Sequence, residues 1–332
     1  MSRPYALLRS GFPFHMTLGM RRITTNPMDI GFGQDGLIYV LTRGGLGTHV
    51  RVINWDDENL GTLGDGRWAW PSSLLVDSDD NLYVSDEAKH NVTVLDKDGE
   101  HLTEWGEHGS DPGQLDRPAS LAFDGDGNIV VSDTQNHRIQ TFTRDGEYIS
   151  GFGEHGADDG QLNMPWGICI DETGAVYVAD WRNDRVQKFT AAGEHLLTFG
   201  RSGSGAGEFN HPSAVAVDAH GDVYVSDWGN DRVQLFNSEG RFVEEIIGEA
   251  NLSKSGLKYI QANPQVLRLR DMTELGRMKR LRAPLSLHVD DEFRLFICDF
   301  GSHRIQVYKK EAYELAENQI APPLRNPIML TT

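Results

Sequence analysis

Four polar residues in the first two thirds of the sequence are candidates for catalysis. An arginine can hold a carboxylate through two parallel hydrogen bonds, and a histidine or glutamate whose pKa is adjusted by burial can act as a general base. The candidate catalytic residues are Arg43, Glu87, Arg117 and His211. The alternative for each of them is a solvated loop residue or a partner in a local salt bridge.

Six aromatic residues are candidates for binding the body of a ligand, since aromatic faces attract both apolar groups and cations. The predicted substrate-binding residues are Trp70, Trp166, Trp181, Trp228, Tyr259 and Phe300. The alternative is that the tryptophans fill the axis of the fold, because Trp occupies a large volume. The sequence leaves both alternatives open.

A repeated pattern predicts the elements that position these residues. A proline recurs at Pro27, Pro71, Pro118, Pro165, Pro212 and Pro284, with a constant interval of 47 residues between Pro71 and Pro212. An aspartate follows fifteen residues after each of the last five prolines, and an arginine usually follows five residues later, as in Asp133 and Arg138. Between these markers the residues alternate as in half-buried strands separated by turns. The pattern predicts an all-β fold, a six-bladed β-propeller with four antiparallel strands per blade.

The propeller predicts where the candidate residues meet. In such a blade, the loop between the second and third strands and the loop to the next blade open on the same face. Every candidate except Tyr259 directly follows a repeat aspartate (or its counterpart Thr42) or adjoins a repeat proline, so they should surround the mouth of the central channel. These positions vary around the ring, which favours a site, whereas the repeated aspartate–arginine pairs are expected to tie a tight turn.

The chain ends predict how the propeller closes. The last unit lacks a clear fourth strand, and residues 5–10 resemble the outer strand of the third unit. We therefore expect residues 1–20 to supply the closing strand of a single domain spanning residues 1–310, because an unpaired sheet edge is a liability. Residues 311–332 are predicted to be a C-terminal extension, an arm that could support a homo-oligomer.

Residues 249–283 are the largest departure from the repeat and carry many basic residues. Apolar residues recur there every third position, which fits one long α-helix poorly because its period is 3.6 residues. We expect a helical insertion between blades 5 and 6, built as two short helices broken near Gly276. Its location favours a lid over the channel mouth that contributes Tyr259. The alternative is a lateral decoration that docks on the blades or on a second subunit.

Composition restricts the partners of the chain. A formal net charge of -18 disfavours both nucleic acid and an anionic membrane surface. The two cysteines, Cys169 and Cys298, lie in apolar segments and do not indicate a disulfide framework. Because no apolar stretch approaches membrane-spanning length, a cytoplasmic protein is the expectation.

Several segments resemble a known repeat family. The runs SDTQNHRIQTF, ADWRNDRVQKF and SDWGNDRVQLF look like NHL repeats, and the resemblance extends from Pro27 to Lys309. It implies a six-bladed NHL propeller. The segment LTRGG around Arg43 resembles a motif of one NHL family, the peptidyl-hydroxyglycine amidating lyases. Where that family carries its zinc-binding histidines, this chain has Ser72, Trp166 and Leu285, and Trp181 replaces a second arginine.

These observations predict a small-molecule-binding propeller whose site lies at the channel mouth under the insertion. The irregular ring and the lid-like insertion favour an enzyme, namely a lyase, hydrolase or isomerase. We expect no metal or other cofactor, because the sequence lacks the common nucleotide-binding and zinc-binding motifs; it lacks a nucleophile motif as well. The alternative is a non-catalytic propeller that binds proteins or acts as a scaffold.

Overall fold

The chain forms six four-stranded antiparallel sheets arranged as the blades of a propeller. A computed structural model describes residues 6–21, 23–44, 47–263 and 275–315. The chain begins with β1 (Ala6–Gly11) and β2 (Phe14–Leu18). Blade 1 contains β3 (Pro27–Phe32), β4 (Ile38–Gly44), β5 (Gly47–Ile53) and β6 (Asn59–Leu63). Blade 2 contains β7 (Pro71–Val76), β8 (Leu82–Asp86), β9 (Asn91–Leu95) and β10 (His101–Trp105).

The following blades repeat this order at the same spacing. Blade 3 contains β11 (Pro118–Phe123), β12 (Ile129–Asp133), β13 (Arg138–Phe142) and β14 (Tyr148–Phe152). Blade 4 contains β15 (Pro165–Ile170), β16 (Val176–Asp180), β17 (Arg185–Phe189) and β18 (His195–Phe199). Blade 5 contains β19 (Pro212–Val217), β20 (Val223–Asp227), β21 (Arg232–Phe236) and β22 (Phe242–Ile246). Blade 6 contains β23 (Pro284–Val289), β24 (Arg294–Asp299), β25 (Arg304–Lys309) and β2.

The repeat proline is the first residue of every inner strand, where its missing N–H removes no essential ladder bond. The alternating apolar residues of neighbouring blades pack face to face into buried clusters. Between blades 3 and 4, for example, Ile139, Val178 and Phe189 are fully buried in one cluster. The core is therefore a ring of interfaces between blades, and the space along the axis is left for a channel.

The repeat aspartates have the structural role that the sequence predicts. In blades 3 to 6 each is fully buried and accepts a hydrogen bond from the arginine Nε at 2.8 Å. Each also accepts a backbone N–H from the loop that leads into its blade, as when Asn163 N donates to Asp180 Oδ1 at 2.7 Å. The pair thus fixes the turn and the incoming loop together.

A second repeated contact joins each of five blades to the next, and we call it the latch. The residue that ends the turn before the third strand adopts a left-handed backbone, and its side chain accepts the backbone N–H of the residue before the next proline. The acceptors are His90 Nδ1, His137 Nδ1, Asp184 Oδ1, Asp231 Oδ1 and His303 Nδ1, at 2.6–3.1 Å. Histidine and aspartate serve the same purpose in different blades.

The last blade is closed by the N-terminus, but by a later segment than residues 5–10. The strand β2 pairs with β25, buries Leu18 completely and places the Phe14 ring 5.7 Å from that of Tyr308. Residues 14–18 do not share the letter pattern of the outer strands, so the pairing of β2 with β25, rather than sequence similarity, identifies the closing strand. Residues 6–11 instead form β1.

Residues 6–11 and 311–315 form a two-stranded ribbon against blade 5. In it, β1 pairs antiparallel with β26 (Glu311–Leu315), the first part of the C-terminal extension. Lys310 Nζ lies 2.6 Å from Asp218 and 2.7 Å from Asp222, while Arg9 Nε donates to Asp222 at 2.7 Å. Residues 316–332 lie outside the described residues, and oligomerisation through them stays a prediction.

The described residues of the insertion include two short helices, α1 (Lys254–Gln261) and α2 (Leu275–Lys279), and residues 264–274 between them lie outside the described residues. Gly276 is the second residue of α2, and the residues just before this helix lie outside the described ones, so the break expected near Gly276 stays a prediction. Helix α1 docks on the outer turn of blade 1, where Lys254 Nζ lies 2.6 Å from Asp56 Oδ1 and Ser255 N donates to Asp57 Oδ2 at 2.9 Å. This helix occupies the lateral position that the sequence allowed as the alternative to a lid.

Among the described residues, no helix has the length and apolar character needed to cross a membrane. The two cysteines lie on β15 and β24 and are not paired with each other.

Candidate functional site

A cavity of about 140 Å³ lies at the mouth of the channel, between blades 4, 5, 6 and 1. Its wall consists of Met28, Arg43, Trp166, Trp181, Ser213, Trp228, Leu285 and Phe300. Six of these eight side chains are apolar, and one is charged. A cavity of roughly 150 Å³ with apolar walls is large enough for benzene, so the space suits a ring or a branched alkyl group.

Two positions of the repeat supply most of this wall. Met28, Trp166, Ser213 and Leu285 directly follow the repeat proline on the inner strands. Trp181, Trp228 and Phe300 directly follow the repeat aspartate, each as the first residue of a one-turn 3-10 helix. The Trp166 and Trp181 rings lie 5.3 Å apart, so one blade contributes a continuous aromatic surface. The repeat therefore fixes the backbone, and the variable side chains determine the chemistry of the cavity.

Arg43 is the charged residue in the wall, at the end of β4. Its guanidinium carbon lies 4.5 Å from the centroid of the Trp70 ring. The Nη1 atom is buried and has no hydrogen-bond partner among the described residues. Burial lowers the pKa of Arg43, against the opposing charges of Glu87 and Asp86. A buried donor without a partner costs about 1–3 kcal/mol of stability, and more when it is charged. An anion that accepted a hydrogen bond from this atom would remove that cost.

Glu87 lies close to Arg43 but outside the wall of the cavity. Its side chain is buried and accepts a hydrogen bond from Ser72 Oγ. Burial raises the pKa of Glu87 above its usual range, although the Ser72 hydroxyl and the charges of Arg43 and Arg117 work in the opposite direction. A carboxyl group with a raised pKa beside a pocket is a candidate for proton transfer.

The other predicted site residues surround the cavity without lining it. The His211 ring contacts Trp181 in a tilted arrangement with ring centroids 4.6 Å apart, and its Nδ1 lies 2.7 Å from Asn210 Oδ1. Arg117 is exposed, and Trp70 is half exposed beneath Arg43. Tyr259 belongs to α1, which docks laterally on blade 1, and none of the described residues of the insertion lines the cavity.

Deeper in the channel, Asp29 and His288 form a contact that the sequence did not indicate. There, a polar space of about 50 Å³ shares Met28, Trp166, Ser213 and Leu285 with the cavity above it. Asp29 is buried on β3 and lies 2.7 Å from His288 Nε2 on β23.

The setting of Asp29 keeps it ionised. It also accepts hydrogen bonds from Ser73 Oγ at 2.9 Å and from Ser286 Oγ. Burial alone would raise the pKa of Asp29, but the charge and hydrogen bonds of His288 and Ser286 hold it below its ordinary value. The sequence could have indicated Asp29, because it follows its repeat proline by two residues, where the other five inner strands carry serine, glycine or alanine.

The repeat itself can be identified by comparison with known families. Residues 115–142, 162–189 and 209–236 match the NHL repeat, and they fall in blades 3, 4 and 5. The chain therefore carries NHL repeats. Compared with the curated proteins, its sequence matches none.

Several solved propellers have the same fold. A streptogramin B lyase superposes with a TM-score of 0.61 at 12% identity, over 90% of this chain and 98% of that one. A catalytically inactive virginiamycin B lyase from Staphylococcus aureus with quinupristin gives a TM-score of 0.60 at 16% identity, over 90% of this chain and 99% of that one. A Bacteroides thetaiotaomicron protein of unknown function gives a TM-score of 0.63 at 18% identity, covering 91% of this chain and 73% of that chain. At these identities the similarity concerns the fold alone.

Proposed function

We propose that this propeller binds a small organic carboxylate, with an aromatic or branched apolar body, in the cavity at the channel mouth. The observation that carries the proposal is the buried, unpartnered Nη1 of Arg43 in an otherwise apolar wall. A ligand carboxylate would accept that N–H, and charge-assisted hydrogen bonds of this kind are among the stronger ones in proteins.

The apolar walls define the remainder of the ligand. Trp166, Trp181, Trp228 and Phe300 offer ring faces, and Met28 and Leu285 close the inner end. The volume of about 140 Å³ admits a body of benzene size. Benzoate, phenylacetate and isovalerate represent this class of ligand, whereas a larger molecule would extend past the exposed edge of Trp228.

A catalytic role is the second candidate, and the raised pKa of Glu87 beside Arg43 favours it. Among a lyase, a hydrolase and an isomerase, the lyase is the class that we favour, because two structural neighbours that span nearly the whole chain are lyases by name. Glu87 would accept a proton from a substrate whose carboxylate is held by Arg43. A scaffold that binds proteins has no need of a buried unpaired guanidinium, and it remains the outcome if no ligand binds.

Calorimetric titration with benzoate, phenylacetate and isovalerate tests the binding proposal. We expect saturable binding of the acids, weaker binding of their neutral amides, and a loss of about 10–100-fold in affinity in Arg43→Met, which corresponds to one charged hydrogen bond of about 1.5–3 kcal/mol. Arg43→Lys should retain part of the affinity. Arg182→Met is the matched control, because Arg182 also lies over a tryptophan, with its guanidinium carbon 5.1 Å from the Trp181 ring, but does not line the cavity.

The proposal fails if acids and amides bind equally, or if Arg43→Met binds the acids as the native protein does. A panel in which no acid binds would also overturn it and would favour the scaffold.

A further inference from the structure

Two imidazole rings and one carboxylate converge where blade 2 meets blade 3, outside the cavity described above. His90 ends the turn between β8 and β9, His108 lies in the loop after β10, and Asp116 precedes the repeat proline of blade 3 by two residues. The ring centroids of His90 and His108 are 4.0 Å apart. The carboxylate oxygens of Asp116 lie 3.3 Å from His90 Nδ1 and 3.7 Å from His108 Nε2.

We propose that His90, His108 and Asp116 bind one divalent transition-metal ion. One potential ligand atom from each residue lies within 4.8 Å of the other two. Ligand atoms about 2.0–2.1 Å from a tetrahedral zinc ion are separated by about 3.3 Å, so small side-chain rotations bring the set to binding geometry. The side chains of His108 and Asp116 are 63% and 31% exposed, which leaves them room for this movement.

The donor set defines the class of metal. Two imidazole nitrogens and one carboxylate oxygen suit Zn²⁺, Co²⁺ and Ni²⁺, whereas Mg²⁺ and Ca²⁺ prefer oxygen ligands throughout. Three protein ligands leave a fourth position for water.

Metal binding competes with the latch between blades 2 and 3. His90 Nδ1 accepts the backbone N–H of Arg117 at 3.1 Å, and a cation at Nδ1 would take the same lone pair. The bound ion must therefore compensate for this lost hydrogen bond. We accordingly expect an affinity weaker than that of a closed structural zinc site, and slightly looser attachment of blade 3 in the metal-bound protein.

The next junction is a natural control within the same chain. His137 and His155 have ring centroids 4.3 Å apart, and His137 Nδ1 accepts the backbone N–H of Met164 at 3.0 Å. The residue equivalent to Asp116 is Asn163, an amide without a negative charge. The two junctions thus share the imidazole pair and the latch, and they differ in the carboxylate.

The test is the stoichiometry of Zn²⁺ and Co²⁺ binding to the full chain, freed of any affinity tag and treated with a chelator. Calorimetry should give one site in the native protein, and Co²⁺ should produce visible absorption bands of a nitrogen- and oxygen-ligated ion. In Asp116→Asn and in His108→Gln, affinity at this site should fall by more than about tenfold, the lower end of what loss of a single supporting group costs a metal site. Asn163→Asp should bind a second ion.

The controls separate loss of the site from loss of the fold. Circular dichroism and the melting temperature without metal should be native-like in each variant, because the Asp133 bond that orders residue 116 uses its backbone N–H and not its side chain. If the native protein binds no Zn²⁺, or if Asp116→Asn and Asn163→Asp bind as many ions as the native protein, the proposal is overturned.

Discussion

Arg43 and Glu87 are neighbouring groups of opposite charge, and burial disfavours the charged form of each. Burial lowers the pKa of Arg43 and raises that of Glu87, and each charge partly stabilises the other. A bound carboxylate would change this balance, because it adds a negative charge near Arg43 that repels the ionised form of Glu87. Ligand binding at this site should therefore be coupled to protonation of Glu87.

This coupling predicts the pH dependence of binding. As the pH falls through the raised pKa of Glu87, its negative charge is lost and affinity for benzoate should increase, until the carboxylate of the ligand is itself protonated near about pH 4. Calorimetric titrations between pH 7.5 and 5 would measure the trend. Glu87→Gln should bind benzoate more tightly at pH 7.5 and show a flat profile. A native protein whose affinity falls steadily on acidification would contradict the assignment.

The same variant separates binding from catalysis. If Glu87 transfers a proton, Glu87→Gln binds the ligand and loses turnover of a substrate of this class, whereas a purely structural Glu87 would leave the rate unchanged.

At the scale of the secondary-structure element, the latches connect the turn of one blade to the next blade. In three of them a histidine Nδ1 is the acceptor, which requires an unprotonated ring. Burial lowers the pKa of His90, His137 and His303, and the neighbouring groups His108, His155 and Arg21 lower it further. The other two latches use aspartates and need no neutral ring.

Acid should therefore weaken the propeller through these histidines. Below about pH 6.5, where unfolded histidine takes up a proton, the unfolded state binds protons that the folded state resists, so stability falls as the pH decreases. We expect the melting temperature to drop between pH 7 and 5. The double variant His137→Asp/His303→Asp, which copies the latches of blades 4 and 5, should lose less over the same range.

His101→Asp, on an exposed position of β10, is the control and should follow the native protein. If the native protein, the double variant and His101→Asp lost the same melting temperature between pH 7 and 5, the latch histidines would not be the groups that cause the acid sensitivity.

At the scale of the whole molecule, the sequence predicts the features that every blade shares. The prolines, the aspartates and the alternating strands of blades 2 to 5 were sufficient to predict the propeller, because every blade has the same strand pattern and packs against its neighbours in the same way. Departures from the repeat were harder to predict, since nothing elsewhere in the chain indicates their position. The ribbon of β1 and β26 and the lateral docking of α1 on Asp56 and Asp57 depend on contacts between distant segments.

The candidate site likewise contains residues that the repeat predicts and a contact that it does not. Arg43, Trp166, Trp181, Trp228 and Phe300 occupy repeat positions that face the mouth, so counting from the prolines found them. The pairing of Asp29 with His288 joins the first and last blades and is visible only once the ring is closed.

Closure also makes the stability of the ring depend on its N-terminus. Removing residues 1–12 deletes β1 and the Arg9 contact to Asp222, whereas removing residues 1–19 also deletes β2 and exposes the edge of β25. The longer truncation should lower the free energy of unfolding far more, because burial of Leu18 alone contributes about 2–5 kcal/mol. Its exposed edge should also promote aggregation.

Urea unfolding of the two truncated proteins, with aggregation followed by size-exclusion chromatography, measures the difference. A synthetic peptide of residues 12–20 should restore the longer truncation in a concentration-dependent manner, since a ligand that binds only the folded state stabilises it by mass action. Equal urea midpoints for the two truncations, or a peptide without effect, would mean that the pairing of β2 with β25 contributes little to holding the ring closed. Rescue by the peptide, combined with a small loss in the shorter truncation, would locate the closing energy in β2 rather than in the ribbon.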